Sequence, residues 1–196
     1  MTAKQFRELQ ELRRSRKAPA AAPKKQATRK PPTSPGPPPV PPAPDVEPLL
    51  AGLADPGWSC VLLMPYAEKL LSSNQRLHHM ARHRLTKQLR ADAAGVAMAK
   101  RLPRLERAAI FYVLHPRPLS RKRDPGNWAP TAKAYVDGLV SDGGLLPDDN
   151  HEYLMGPIPV MGQPVTTGNA RISIVIVEVS KLLTSANVES VTEIDR

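Results

Sequence analysis

Five aspartates and a lysine fall between residues 124 and 149: Asp124, Lys133, Asp137, Asp142, Asp148 and Asp149. Lys133 and Asp137 are four apart, so a helix would set them on one face. Carboxylates gathered in one place repel each other, and a hard divalent cation relieves that repulsion. Magnesium suits one or two carboxylates together with retained waters and phosphate oxygens, and it activates a water for attack on a phosphodiester. Immediately upstream, "SRKR" (Ser120–Arg123) would grip a phosphate backbone. By spacing alone the same residues also suit a turn at Asp148–Asp149, an exposed ion pair between Lys133 and Asp137, and a loop at Asp124.

The charge distribution fits a polyanion partner. Residues 1–50 hold 10 Lys/Arg against 4 acids, residues 51–123 hold 14 against 4, and residues 124–196 hold 4 against 10. The net charges are +6, +10 and −6, which sum to +10. A basic body facing an acidic patch suits a protein that holds a polyanion and does metal chemistry on it. Other chemistries have weaker support. His79 and His83 are four apart, yet no third or fourth ligand stands at a zinc-site spacing, so they read with His78 as exposed or DNA-facing groups. His151 reads as a surface loop residue, Cys60 as core, and Trp128 as packing beneath a helix. There is no serine–histidine elbow and no glycine-rich phosphate loop. Aromatics make up only 4% of the chain, which argues against base-stacking platforms as the main binding device.

The elements that must position these residues are legible in outline. Twelve of the 23 prolines lie in the first 50 residues, where a disordered basic tail is expected over 1–50. A folded domain is expected over 58–182, with a flexible tail over 183–196. "WSCVLLM", "RAAIFYVLHP" and "RISIVIVEVS" read as strands. The last is apolar on both faces, so it should lie centrally, covered on both sides. A long basic helix capped by Ser72, Ser73 or Asn74 should run to Lys100, with Leu77, Met80, Leu85, Leu89 and Val96 as its apolar positions and Arg76, Arg82, Arg84 and Lys87 facing DNA. A second helix should start at an Asn127 cap with Pro130 in its first turn, bury Ala132, Val136, Leu139 and Val140, and end at Gly143–Gly144. The expectation is a single small α+β (α/β) domain, a mixed sheet packed by helices. The single cysteine rules out an internal disulfide, no apolar run reaches the roughly 20 residues of a membrane span, and no signal-peptide core precedes the tail, so a cytoplasmic protein is expected.

The order R-K-R-D-P-G-N, Lys133-x3-Asp137, Asp148–Asp149 resembles the RusA-like family of Holliday junction resolvases, whose pattern is a basic run, D-x-D-N, a K-x3-D helix and a D-D pair. "LLSSNQRLHHMARHRLTKQLR" is similar to the family's opening segment, and "GPIPVMGQPVTTGNARISIVIVEV" to its glycine-containing loop and closing strand. The likeness runs from Ser59 to Val179. It implies a homodimer that cuts four-way junctions and related branched DNA in recombination and repair, with magnesium as cofactor and manganese as a substitute. It implies Asp124 and Asp149 as catalytic residues assisted by Lys133, Asp137 and Asp148 as further metal ligands, and Arg121, Lys122 and Arg123 on the DNA. Two departures stand out: Gly126 replaces the family's second aspartate, and three extra residues separate Asn127 from Lys133. The missing carboxylate leaves a second reading, a protein that binds branched DNA without cutting it.

Overall fold

The computed structural model describes residues 40–53, 55–67, 69–117 and 123–180. Residues 1–39 of the tail expected over 1–50, the tail expected over 183–196, and the basic residues Arg121 and Lys122 lie outside the described residues.

Three apolar runs form strands: β1 (Pro56–Leu63), β2 (Ala108–His115) and, last in chain order, the strand Arg171–Val179. A further strand, Leu154–Met161, was not expected, because "LMGPIPVM" carries a glycine and two prolines and read as loop. Numbered in order, Leu154–Met161 is β3 and Arg171–Val179 is β4. The sheet order is β1-β4-β2-β3. β4 pairs antiparallel with both β1 and β2, and β3 pairs parallel with β2. The prolines are tolerated because β3 is an edge strand, where a missing N–H removes little from the ladder. A cis bond at Gly156–Pro157 accompanies a shift in the β2–β3 register.

The central strands β2 and β4 are buried on both faces, as the double-sided apolar pattern of "RISIVIVEVS" requires. One face carries Ile110, Tyr112, Leu114, Ile172, Ile174 and Ile176 beneath the helices. The other carries Ala109, Phe111, Val113, Val175, Val177 and Val179, with Val46, Leu49, Leu50 and Leu53 packed on them. Leu49 and Leu50 belong to a short helix, α1 (Glu47–Ala51), so packed structure begins inside the stretch expected to be tail. The architecture is a mixed four-stranded sheet with helices, an α+β fold as expected.

The long helix α2 (His79–Lys100) starts later than its capping residues suggested. His78 is the N-cap, its Nδ1 accepting from the Met80 amide at 3.4 Å. Ser73 and Asn74 bond instead to Asn127. Leu77 and Met80 are therefore exposed, and the buried stripe is Leu89, Ala93, Ala94 and Ala97. Alanine there lets the next helix come close. α3 (Ala129–Asp137) runs on into a π-helical turn (Gly138–Asp142) that ends at Gly143. A Cβ on Gly138 would lie 2.2 Å from the Arg90 carbonyl oxygen, and one on Gly143 would lie 2.8 Å from Ala97 Cβ. The two glycines are the points where the helical layer presses onto α2. Ala132, Val136, Leu139 and Val140 are all buried, as their spacing required.

Candidate functional site

α3 is entered through a tight 3-10 turn, Pro125–Trp128, capped by Asp124 rather than by Asn127. Asp124 Oδ1 accepts from the Gly126 amide at 2.8 Å. From below, the buried Tyr112 of β2 donates its hydroxyl to the Pro125 carbonyl at 3.0 Å. Burial, then the nearby Asp124 charge, raises the Tyr112 pKa, so the phenol keeps its proton and the turn keeps its support. Nothing in the sequence singled out Tyr112. Asn127 is displaced from the cap by its long-range bonds: its carbonyl accepts from Ser73 N at 2.8 Å, and its Oδ1 accepts from Asn74 Nδ2 at 3.0 Å. These bonds tie the loop before α2 to the start of α3. Thr131 Oγ1, donating to the Leu71 carbonyl at 2.8 Å, adds a buried clamp to the same junction.

One face of α3 carries Lys133 and Asp137, joined at 2.8 Å. Lys133 Nζ also donates to Asp149 Oδ2. Asp149 is aimed there by a turn that consumes its neighbour: Asp148 Oδ1 accepts from the Asp149 amide at 2.7 Å and Oδ2 from Asn150 Nδ2 at 2.9 Å. The hydrogen bond from Lys133 holds the Asp149 carboxyl below its ordinary range, against a partial burial that pushes it up. Burial pulls the Lys133 pKa down, but its bonds to Asp137 and Asp149 outweigh this and raise it. At neutral pH Lys133 is therefore an ammonium bonded to an ionised Asp149, with Asp137 as its second partner.

The expected residues thus fall into two groups. Lys133, Asp137 and Asp149 meet directly, with Asp148 forming the turn beneath Asp149. Asp124 caps the other end of the approach to α3. Among the described residues, no three His, Cys, Asp or Glu side chains are gathered to hold a metal ion. The donors nonetheless fit magnesium in kind, since it takes one or two carboxylates and keeps waters for the rest. The cation between Asp137 and Asp149 is here the Lys133 ammonium. The Gly126 backbone is not in the left-handed region that demands glycine; a Cβ there would lie 3.1 Å from Asp124 Oδ1.

The basic residues also divide. Arg76, Arg82, Arg84 and Lys87 are all exposed. Arg82 and Arg84, however, sit two apart on α2 and so leave it on different sides. Arg84 and Lys87, three apart, share a side. Arg123 is half-buried, with its guanidinium 5.7 Å from the Trp128 ring centre. Trp128 packs on the core, as expected. Between these residues opens a polar cleft of about 480 Å³, lined by Asn74, Gln75, Arg123, Asp124, Asn127 and Trp128. His79, His83 and His151 are exposed, and Cys60 is half-buried with its thiol pKa pushed up by burial to about 11. Among the described residues no helix is long and apolar enough to cross a membrane. No family model matches the chain, and no curated protein matches it.

Proposed function

We propose that this chain is a magnesium-dependent, structure-selective endodeoxyribonuclease that resolves four-way junctions and related branched DNA, acting as a homodimer of the RusA-like type. The observation that carries the reading is the convergence of Lys133, Asp137 and Asp149. Lys133 and Asp137 on one face of α3 meet Asp149 from a loop 16 residues after Lys133, at the far end of a segment whose start is capped by Asp124. The basic half of the chain supports a polyanionic substrate.

Asp149 and Asp137 are the residues that would hold magnesium, with Asp148 in the turn beneath them; the resemblance adds Asp124, which caps the other end of the approach to α3. Bound there, the metal supplies a Lewis acid for the scissile phosphate and lowers the pKa of a water. Lys133 holds its proton firmly, so its part is electrostatic: it neutralises charge on the phosphate rather than abstracting a proton. The Asp148–Asn150 turn fixes the direction of Asp149, and Tyr112 fixes the turn that presents Asp124. Arg123, with the exposed Arg84 and Lys87, holds the sugar–phosphate backbone beside the cut.

A second reading has one observation in its favour. Gly126 leaves a family carboxylate missing, and a protein that binds branched DNA without cutting it would tolerate that loss. Purified protein is incubated with a synthetic four-way junction with and without magnesium. Magnesium-dependent nicks placed symmetrically across the branch support the enzyme. Tight junction binding without cutting at any magnesium or manganese concentration overturns it in favour of the binder.

A further inference from the structure

Lys133 joins the two carboxylates that would hold magnesium. Its Nζ lies 2.8 Å from Asp137 Oδ1 and also donates to Asp149 Oδ2. Oxygens bonded to one nitrogen are close enough to share one cation, so the ammonium fills the position that a divalent ion on both would take. The two cannot be there together. Magnesium takes carboxylates, waters and phosphate oxygens as ligands, and an ammonium has no lone pair to offer.

The surroundings decide where a displaced ammonium can go. The Lys133 side chain is more than half exposed, and its charge ends a flexible four-carbon stem. Two further carboxylates of the region are engaged. Asp148 accepts from the Asp149 amide and from Asn150 Nδ2, and Asp142 accepts from the Arg90 guanidinium through both oxygens, at 3.0 and 3.2 Å. The Asp142 bond, against slight burial, and then the charges of Asp142, Asp137 and Asp149 raise the Arg90 pKa. With its guanidinium held by Asp142, Arg90 leaves Asp137 and Asp149 to Lys133. The destinations open to Lys133 are then solvent and a DNA phosphate, and only the phosphate restores the charge contact it gives up.

We propose that Lys133 is a transferable counter-ion, bridging Asp137 and Asp149 as it does here and passing to a DNA phosphate when metal is bound, so that metal and DNA each raise the affinity of the other. The proposal rests on the nuclease reading and names the regulation of that site. By linkage, the factor by which a junction raises metal affinity equals the factor by which metal raises junction affinity. Such coupling leaves the cutting centre short of metal until substrate is bound.

The test titrates calcium, in place of magnesium to prevent cutting, into wild type and Lys133→Met by calorimetry, with and without an immobile four-way junction. Methionine keeps an unbranched stem and removes the charge; Lys133→Gln serves the same comparison if it does not fold. Without DNA, the variant should bind calcium at least about fivefold more tightly than wild type. The junction should raise calcium affinity at least about fivefold in wild type, and by less in the variant. Salt dependence then separates transfer of the ammonium from the effect of its charge at a distance. Without calcium, the slope of log junction affinity against log salt should be the same in both proteins. With calcium it should be steeper in wild type by about 0.9, for the one phosphate gained. Equal or weaker calcium binding by the variant overturns the proposal, and so do equal slopes in calcium. Magnesium-dependent cutting of the same junction by wild type, beside either of those results, leaves the nuclease reading standing. No calcium binding and no cutting overturns the proposed function, and the counter-ion with it.

Discussion

Lys133 and Asp149 meet across a gap of 16 residues, the ammonium of one helix closing on a carboxylate aimed from a loop. Asp149→Asn keeps the shape of that contact and discards its charge. Under the proposed function, this variant should lose at least about 100-fold in cleavage rate, the upper range for damage even to outer-shell partners of a metal site. Junction binding should persist or tighten, since a negative group near phosphate is gone. Lys133 is more than half exposed, so solvent screening limits the stability cost to at most about 1 kcal/mol. Cleavage and gel-shift assays on the same preparation separate the effects; a wild-type cutting rate would remove Asp149 from the site.

Gly138→Ala and Gly95→Ala should move stability in opposite directions. A Cβ at 138 meets the Arg90 carbonyl oxygen at 2.2 Å and Ala93 Cβ at 2.9 Å, so α2 and α3 must part. Overpacking of this kind costs about 1–3 kcal/mol. Gly95 lies within α2 with nothing within 4 Å of its added Cβ, and alanine there should gain about 0.5–1 kcal/mol. Urea denaturation of both variants checks the pair.

Acid should weaken the fold through His115. This fully buried ring spans two elements, with Nε2 2.9 Å from Ser173 Oγ and Nδ1 3.0 Å from the Gln163 carbonyl. Burial, joined by the charge of Arg171 and opposed by the Gln163 bond, holds its pKa below the ordinary 6.5. The unfolded chain therefore takes up the proton first, and stability falls as pH drops below about 6.5. The Asp149 contribution is of the other kind: its depressed pKa gives stability at neutral pH that is lost only below its ordinary value of 3.8. Denaturation midpoints between pH 8 and pH 5 should thus fall in wild type and fall less in His115→Gln.

Gly126→Asp tests whether the missing family carboxylate matters. The new Cβ would press on Asp124 Oδ1 at 3.1 Å, and the new charge would face the same oxygen. The expected result is unchanged or reduced magnesium-dependent cleavage across a metal titration. A wild type inactive at every concentration, beside a variant that cuts, would establish the non-cutting binder.

The sequence announced its core more clearly than its edges. β2 and β4 are legible because burial on both faces demands unbroken apolar runs. β3 is hidden because an edge strand can carry Pro157 and Pro159, residues that argue against a strand anywhere else. Local rules also misplaced two helix starts. Ser73, Asn74 and Asn127 are good capping residues, but each spends its bonding groups on a partner more than 50 residues away, which no local pattern reveals. Lys133 and Asp137 were legible from helical spacing. The approach of Asp149 to them depends on the Asp148–Asn150 turn, and the support of Asp124 depends on Tyr112 from a different layer.

The place of β4 in the sheet bears on how the protein is made. It is the last described strand in the chain, yet it lies between β1 and β2. Among the described residues β1 has no other neighbour, so a chain still emerging from the ribosome cannot pair it until residues 171–179 are free. Until then Ile110, Tyr112 and Leu114 have one side of their ladder open, and α2 has an incomplete sheet to pack on. Long-range pairing of this kind is slow and leaves apolar edges uncovered while it waits. Nascent chains halted before residue 171 should therefore be protease-sensitive and prone to self-association, and protection should arrive in one step once β4 is released.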